Sequence, residues 1–184
     1  QQVTPRVGLF LTEAEKAVNR GAFDVALRLT DSAEVHAPEL ADIPYLQGLI
    51  LTELGQIDQA QAAYQKVVSR DPYYRAAWFK LGNNAFRRLQ YREAVALYRK
   101  EQAVAREEEQ GHPRDIDRVR HRTILLQMGR AYTELGAVDS AKLVYEEAIA
   151  MDPSYAEAYS DLGVLHRDNG NYEQAIVYSR RALE

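Results

Sequence analysis

The stretch AWFKLGNNAFRRLQYREAVALY, residues 77–98, places Gly82 in the middle of a pattern that otherwise reads as helix. A glycine inside a helix costs about 1 kcal/mol relative to alanine, because it loses the most backbone entropy on folding, so the missing side chain must be compensated by packing. The same residue recurs at a fixed distance. Gly48 to Gly82 is 34 residues, and Gly129 to Gly163 is 34 again. Alanines follow the same ruler: Ala26, Ala60 and Ala94 in one series, Ala141 and Ala175 in another. Gly21, Gly55, Gly136 and Gly170 mark a third register, and Pro38, Pro72 and Pro153 a fourth. Several independent markers at one period of 20 to 50 residues define a repeat architecture.

Each repeat holds two helical patterns separated by a junction glycine, as in LGNNAFRRL followed by YREAVALYRK, with apolar residues at steps of three and four. The junction glycine is suited to end the first helix in a left-handed conformation. The pairs Asp71-Pro72 and Asp152-Pro153 end the second, since the residue before proline is pushed out of the α region. Gly82 lies one turn from Trp78, and the expectation is that it lets the second helix approach through the small Ala94.

These residues resemble the tetratricopeptide repeat family, whose pattern is Trp, Leu, Gly and Tyr on the first helix and Ala, Phe or Tyr, Ala and Pro on the second. Trp78, Leu81, Gly82, Tyr91, Ala94 and Tyr98 match in one unit, and Tyr159, Leu162, Gly163, Tyr172, Ala175 and Ala182 in the last. Gly48, Gly55, Ala60, Tyr64 and Pro72 match in a third unit; Gly129, Tyr132, Gly136, Ala141, Tyr145, Ala148 and Pro153 match in a fourth. The resemblance implies an all-α fold, a right-handed superhelical solenoid of stacked helix-turn-helix hairpins forming a single domain over residues 1–184. The units are residues 7–40, 41–74, 75–106, 122–155 and 156–184. The first is degenerate, with Ala14 in place of glycine and Thr30 in place of tyrosine.

A helical insertion occupies residues 107–121, since Gly82 to Gly129 is 47 residues instead of 34. Its break is Gly111-His112-Pro113, with residues 91–110 continuing as one long helix before it and Asp115 capping a lengthened helix after it. The expectation is a protruding, mobile hairpin tip over residues 110–114. Beside it, Glu101 stands where the family carries a small alanine.

Composition narrows the function. With 23 Lys and Arg against 27 Asp and Glu, the net charge is -4 and no basic stripe stands out, which excludes nucleic acid as the expected partner. No apolar run spans a bilayer. Zero cysteines remove thiolate nucleophiles, disulfides and Cys-ligated zinc, while leaving the compartment open. The chain starts at Gln1 and stops within a helical pattern, which reads as a segment trimmed at both ends, so any export signal or anchor is expected upstream.

Stacked hairpins present a concave surface, lined in this family by first helices. The positions that map to it are Tyr45, Leu46, Leu49 and Glu53, then Phe79, Lys80, Asn83, Phe86 and Arg87, then Leu126, Gln127, Arg130 and Glu134, and last Glu157, Ser160, Asp161 and Val164. The expected partner-binding groove comprises Tyr45, Leu49, Phe79, Lys80, Asn83, Phe86, Arg87, Gln127 and Arg130. Its partner is a protein or peptide, extended or helical, with apolar side chains for the aromatics and acidic groups for the cations. The competing interpretation is that these aromatics are inter-repeat packing and these charges solvated surface. A chaperone-type carboxylate clamp is rejected: Asn83 and Gln127 would serve, but Glu157 and Asp161 stand where bases are needed.

No catalytic signature emerges, so the expectation is a non-enzyme without cofactor. His166 replaces a packing tyrosine, and His112 and His121 lie near Glu107, Glu108 and Glu109 without the spacing of a helix-borne metal site. The alternative function is self-assembly, as a weak homo-oligomer, through the insertion hairpin or through a last helix that exposes Ile176, Ala182 and Leu183.

Overall fold

A computed structural model describes residues 4–74, 76–111 and 118–184. The described residues form helices α1 (Pro5–Asn19), α2 (Phe23–His36), α3 (Asp42–Glu53), α4 (Ile57–Arg70), α5 (Ala77–Arg87), α6 (Tyr91–Gly111), α7 (Arg118–Glu134), α8 (Val138–Met151), α9 (Ala156–Asp168) and α10 (Tyr172–Arg181). Helices α1 and α2, α3 and α4, α7 and α8, and α9 and α10 pack as antiparallel neighbours. The long second helix expected before the insertion is α6. The expected tip at residues 110–114 and the Asp115 cap fall largely on residues 112–117, outside the described residues.

The junctions explain why each hairpin turns where it does. Gly21, Gly55, Gly136 and Gly170 all have φ between 68° and 77°, the left-handed region that glycine enters without a Cβ penalty. Around Gly55 the Gln56 amide donates to the Leu51 carbonyl at 2.9 Å, the helix-ending closure that satisfies carbonyls left over by the last turn. The same bond recurs from Ala137 to Tyr132 and from Asn171 to His166, each 2.9 Å. It recurs also from Gln90 to Ala85 at 2.9 Å, where Leu89 takes the glycine's place at φ 61°. At the other end of a hairpin, Asp71 and Asp152 adopt extended backbone before their prolines. Their carboxylates accept from the Tyr73 and Ser154 amides at 2.9 and 3.0 Å, closing a local turn.

The chain divides into two compact units, Gln1–Asn84 and Ala85–Glu184, with the boundary inside α5. In the first, Ala14, Ala17, Ala26 and Ile50 are buried with Phe23, Leu27 and Leu46 against them, and Val7, Ala33 and Ile43 form a second cluster with Phe10 and Leu11. In the second, Ile124, Leu125, Ala141, Ala148, Ala158 and Leu162 are fully buried. Helix α9 packs on both α7 and α8.

At two of its positions the repeated glycine meets the ring of a tyrosine first. A Cβ on Gly48 would lie 2.5 Å from the Tyr64 ring, and one on Gly129 would lie 2.3 Å from the Tyr145 ring. At Gly48 and Gly129 the glycine therefore admits a tyrosine ring sixteen positions on, while at Gly163 the nearest atoms are the Ser179 hydroxyl and amide and the carbonyl of Ala175, twelve positions on. Both rings are buried, and their hydroxyls reach back to the first helix, Tyr64 to Thr52 at 3.2 Å and Tyr145 to Thr133 at 3.3 Å. Gly82 and the fully buried Tyr98 stand in the same register. In the degenerate first unit the pair becomes Ala14 and Thr30, both fully buried, so that a smaller partner removes the need for glycine.

Glu101 is fully buried on α6, and Arg120 of α7 donates to it through Nε at 2.9 Å and again through Nη2. The carboxylate that replaces the usual alanine is thus compensated by a cation from the adjoining helix. Buried charge persists only when paired in this way.

Candidate protein-interaction surface

In the first unit, α3 carries Tyr45 and Leu49 one turn apart, both half-buried. The Tyr45 ring packs on Tyr64 and Tyr74, with centroids 5.9 and 4.9 Å away. Tyr74 donates its hydroxyl to Asp42 at 2.7 Å. Burial, that hydrogen bond and the Asp42 charge all push the Tyr74 phenol above its ordinary value, so it stays a neutral donor. Tyr45 is therefore held by other aromatics while part of its face remains open, which restricts its rotamers before any partner arrives.

Helix α5 displays Phe79, Asn83 and Phe86 at steps of four and three, one face of a helix, with Lys80 and Arg87 one position further round. Phe79, Lys80, Asn83 and Phe86 are half-buried and Arg87 is exposed. In the second unit, Phe86 meets the edge of Tyr91 with centroids 5.2 Å apart. Trp78, on the neighbouring face of α5, donates its indole N–H to the Pro72 carbonyl at 2.8 Å and so belongs to the scaffold.

On α7, Gln127 and Arg130 are half-buried. Arg130 Nε donates to the Asp161 carboxylate on α9 at 2.6 Å. Burial works against the guanidinium's charge, but the hydrogen bond and the charge of Asp161 outweigh it and hold its pKa above the ordinary value. Arg130, expected as a groove cation, is thus offset by Asp161, one of the acids expected on the last first helix, a pairing that two residues 31 apart in sequence do not announce. A second such pair ties α4 to α2: Arg70 Nη2 to Glu34 at 2.6 Å, with Gln47 Nε2 donating to Glu34 at 3.3 Å.

His36, His121 and His166 each contact a neighbouring side chain. His166 stacks on Tyr178 with centroids 5.2 Å apart, in the tyrosine position of the first helix. His121 Nε2 lies 3.3 Å from Gln102 Nε2, and His112 is outside the described residues. Among the described residues no helix is long and apolar enough to cross a membrane.

Helix pairs repeated at 34 residues, with partly open aromatics on α3 and α5, define a helical-repeat protein-interaction scaffold. Sequence profiles agree: one for a tetratricopeptide repeat matches residues 45–108, and another for a TPR repeat matches residues 129–170. The chain belongs to the tetratricopeptide repeat family and is an all-α helical-repeat solenoid. Among solved structures it is similar to the MamA fragment, 41 to end, from Desulfovibrio magneticus RS-1, with a TM-score of 0.85 and 18% identity over 99% of this chain and 96% of that one. It is similar also to YrrB, described as a TPR protein with an unusual peptide-binding site, with a TM-score of 0.75 and 16% identity over 99% of this chain and 85% of that one. Protein O-mannosyl-transferase TMTC1 of Mus musculus is 27% identical over 135 residues, 73% of this chain. The match covers only 13% of that much longer protein.

Proposed function

We propose that this chain is a non-catalytic scaffold whose first helices receive a peptide or partner helix, extended or helical, that carries apolar residues beside acidic groups. The observation that carries this reading is the face of α5: Phe79, Asn83 and Phe86 along one line, with Lys80 and Arg87 beside it. Tyr45 and Leu49 on α3 and Gln127 and Arg130 on α7 extend the surface in their own units. Half-buried aromatics that need little ordering act as anchors, and neighbouring cations steer the encounter. Arg130 enters already paired with Asp161 and contributes a fixed donor array rather than a net charge. Lys80 and Arg87 are the residues assigned to steering.

The test begins with a partner captured by pull-down and identified by mass spectrometry, followed by surface plasmon resonance on variants. Phe79→Ala should speed dissociation, at a cost of about 2 kcal/mol for a true anchor. The double variant Lys80→Glu, Arg87→Glu should slow association and weaken its salt dependence. If neither variant alters the kinetics, the α5 face is not the binding surface.

A further inference from the structure

The junction between α5 and α6 departs twice from the junctions of the other hairpins, and both departures work against stability. Gly21, Gly55, Gly136 and Gly170 hold the left-handed turn elsewhere, whereas here Leu89 holds it at φ 61°. A Cβ in that conformation is penalised, and packing does not repay it, because the leucine is 70% exposed. The turn is nonetheless firmly closed: the Leu89 amide donates to the Phe86 carbonyl and the Gln90 amide to the Ala85 carbonyl, each at 2.9 Å. The second departure is in charge. The second residue of the helix after the junction is Asp24, Asp58, Asp139 or Glu173, an acid that complements the positive end of the helix macrodipole, but in α6 it is Arg92. Two positions before the turn, where Glu53, Glu134 and Asp168 stand in other hairpins, α5 carries Arg87. With Arg88 between them, residues 87–92 hold three arginines and no acid, and all three arginines are exposed. Local rules broken together on one exposed turn, with no packing gain, mark a place kept for something other than folding.

We infer that this turn is a docking site for an acidic segment of a partner protein, in which one aromatic or large apolar residue packs on Leu89 while carboxylates on either side pair with Arg87 and Arg92. The charges decide the chemistry. Arginine rather than lysine stands at every cationic position of the turn, and its planar fork takes a carboxylate through two parallel hydrogen bonds. An anionic lipid surface fits less well. Glu93 follows Arg92, and Glu134 of α7 is hydrogen-bonded to Tyr91, so a continuous sheet of headgroups would meet acids beside the arginines. A short segment can space its carboxylates to avoid them. The exposed leucine supplies the apolar anchor, and the arginines speed and orient the encounter. Arg87 is shared with the α5 face, whereas Leu89 and Arg92 lie beyond it and define the separate site.

The probes are two fluorescein-labelled peptides, one with a central phenylalanine between triplets of glutamate and one with serine in its place, titrated by fluorescence anisotropy at low and high salt. The phenylalanine peptide should bind about fivefold or more tightly than the serine peptide, and both should weaken with salt. Leu89→Gly, which installs the residue of the other junctions, should erase the difference between the peptides. Arg92→Asp, which installs their acid, should weaken both by about tenfold or more and flatten the salt dependence. Each change restores the local rule of the repeat, so thermal unfolding should show both variants at least as stable as the wild type, and lost binding then reports the site and not the fold. Phe79→Ala should leave both affinities unaltered; a loss equal to that of Leu89→Gly would assign the peptides to the α5 face instead. Equal affinity of the two peptides, no binding by either, or indifference to both variants would overturn the inference. So would sedimentation with phosphatidylserine vesicles that Leu89→Gly and Arg92→Asp abolish and the phenylalanine peptide fails to block, since that outcome assigns the turn to a lipid surface.

Discussion

Gly129→Ala isolates the physical role of the repeated glycine. Helix propensity alone predicts a gain of about 1 kcal/mol, since Gly129 lies within α7. The added Cβ, however, would sit 2.3 Å from Cε1 of Tyr145 and 2.6 Å from its Cδ1, over an ångström inside ordinary contact. The ring cannot swing aside cheaply. It is 1% exposed, and its hydroxyl is tied to Thr133 at 3.3 Å. Burial keeps the phenol at about 12, so it remains a neutral hydrogen-bonding group across the working pH range. Overpacking of this kind costs about 1 to 3 kcal/mol, so after the propensity gain is subtracted the gain is cancelled or turned into a net destabilisation of up to about 2 kcal/mol. For a chain of this length that lowers the melting temperature by about 2 to 4 °C per kcal/mol. Gly163→Ala is the control: there the nearest atom is Ser179 Oγ at 3.0 Å, a hydroxyl that can rotate, and the propensity gain should dominate. Thermal unfolding followed by circular dichroism at 222 nm reads both. A Gly129→Ala protein as stable as Gly163→Ala would refute the account of glycine as the seat of a tyrosine ring.

Leu89→Gly should stabilise the protein by roughly 0.5 to 1 kcal/mol in chemical denaturation. Leucine at φ 61° carries the left-handed penalty of about 1 to 2 kcal/mol, part of which is returned by the greater unfolded-state freedom of glycine. The side chain is 70% exposed, so little packing is lost, and a destabilised variant would show that Leu89 makes a compensating contact. Glu34 should contribute to acid sensitivity: burial raises its pKa, but Arg70, Gln47 and Lys66 together hold it below the ordinary 4.5. Its stabilisation is complete above that ordinary value and is lost as pH falls through the lower folded one. Melting temperatures of the wild type and Glu34→Gln should therefore differ at pH 7 and converge towards pH 2, and a constant difference across that range would remove the ion pair as the cause.

The hairpins were legible because their markers are local: a glycine that must be left-handed and an aspartate before proline act within one turn, so spacing in the chain is spacing in the fold. What the repeated glycine faces was not legible from spacing, because the alanine twelve positions on and the tyrosine sixteen positions on recur at the same period, and periodicity alone cannot say which recurrent residue faces which. The co-occurrence of Gly48 with Tyr64 and Gly129 with Tyr145, against Ala14 with Thr30, is the signal that separates them. Leu89 passed unnoticed at the junction because nothing in a leucine advertises positive φ; only its place on the 34-residue ruler beyond Gly55 does. The pairs Arg130 with Asp161 and Glu101 with Arg120 join different helices, and a partner across a helix interface leaves no fixed interval in sequence. The aromatic positions of the candidate surface were read from the resemblance to the repeat family, and the structure adds which of them are braced by neighbouring rings.

The seating of tyrosine on glycine has a consequence for how such a chain can be rearranged. Gly48 and Tyr64 belong to one hairpin, as do Gly129 and Tyr145, so a duplicated or transplanted hairpin carries both halves of that fit with it. The links of Arg70 to Glu34 and of Arg130 to Asp161 run instead from one hairpin to the next, and a recombination junction between two hairpins severs the link that joins them. Shape is therefore inherited by the module and charge matching by the neighbourhood, which lets hairpins be copied freely while their order in the chain stays recognisable by which ion pairs survive.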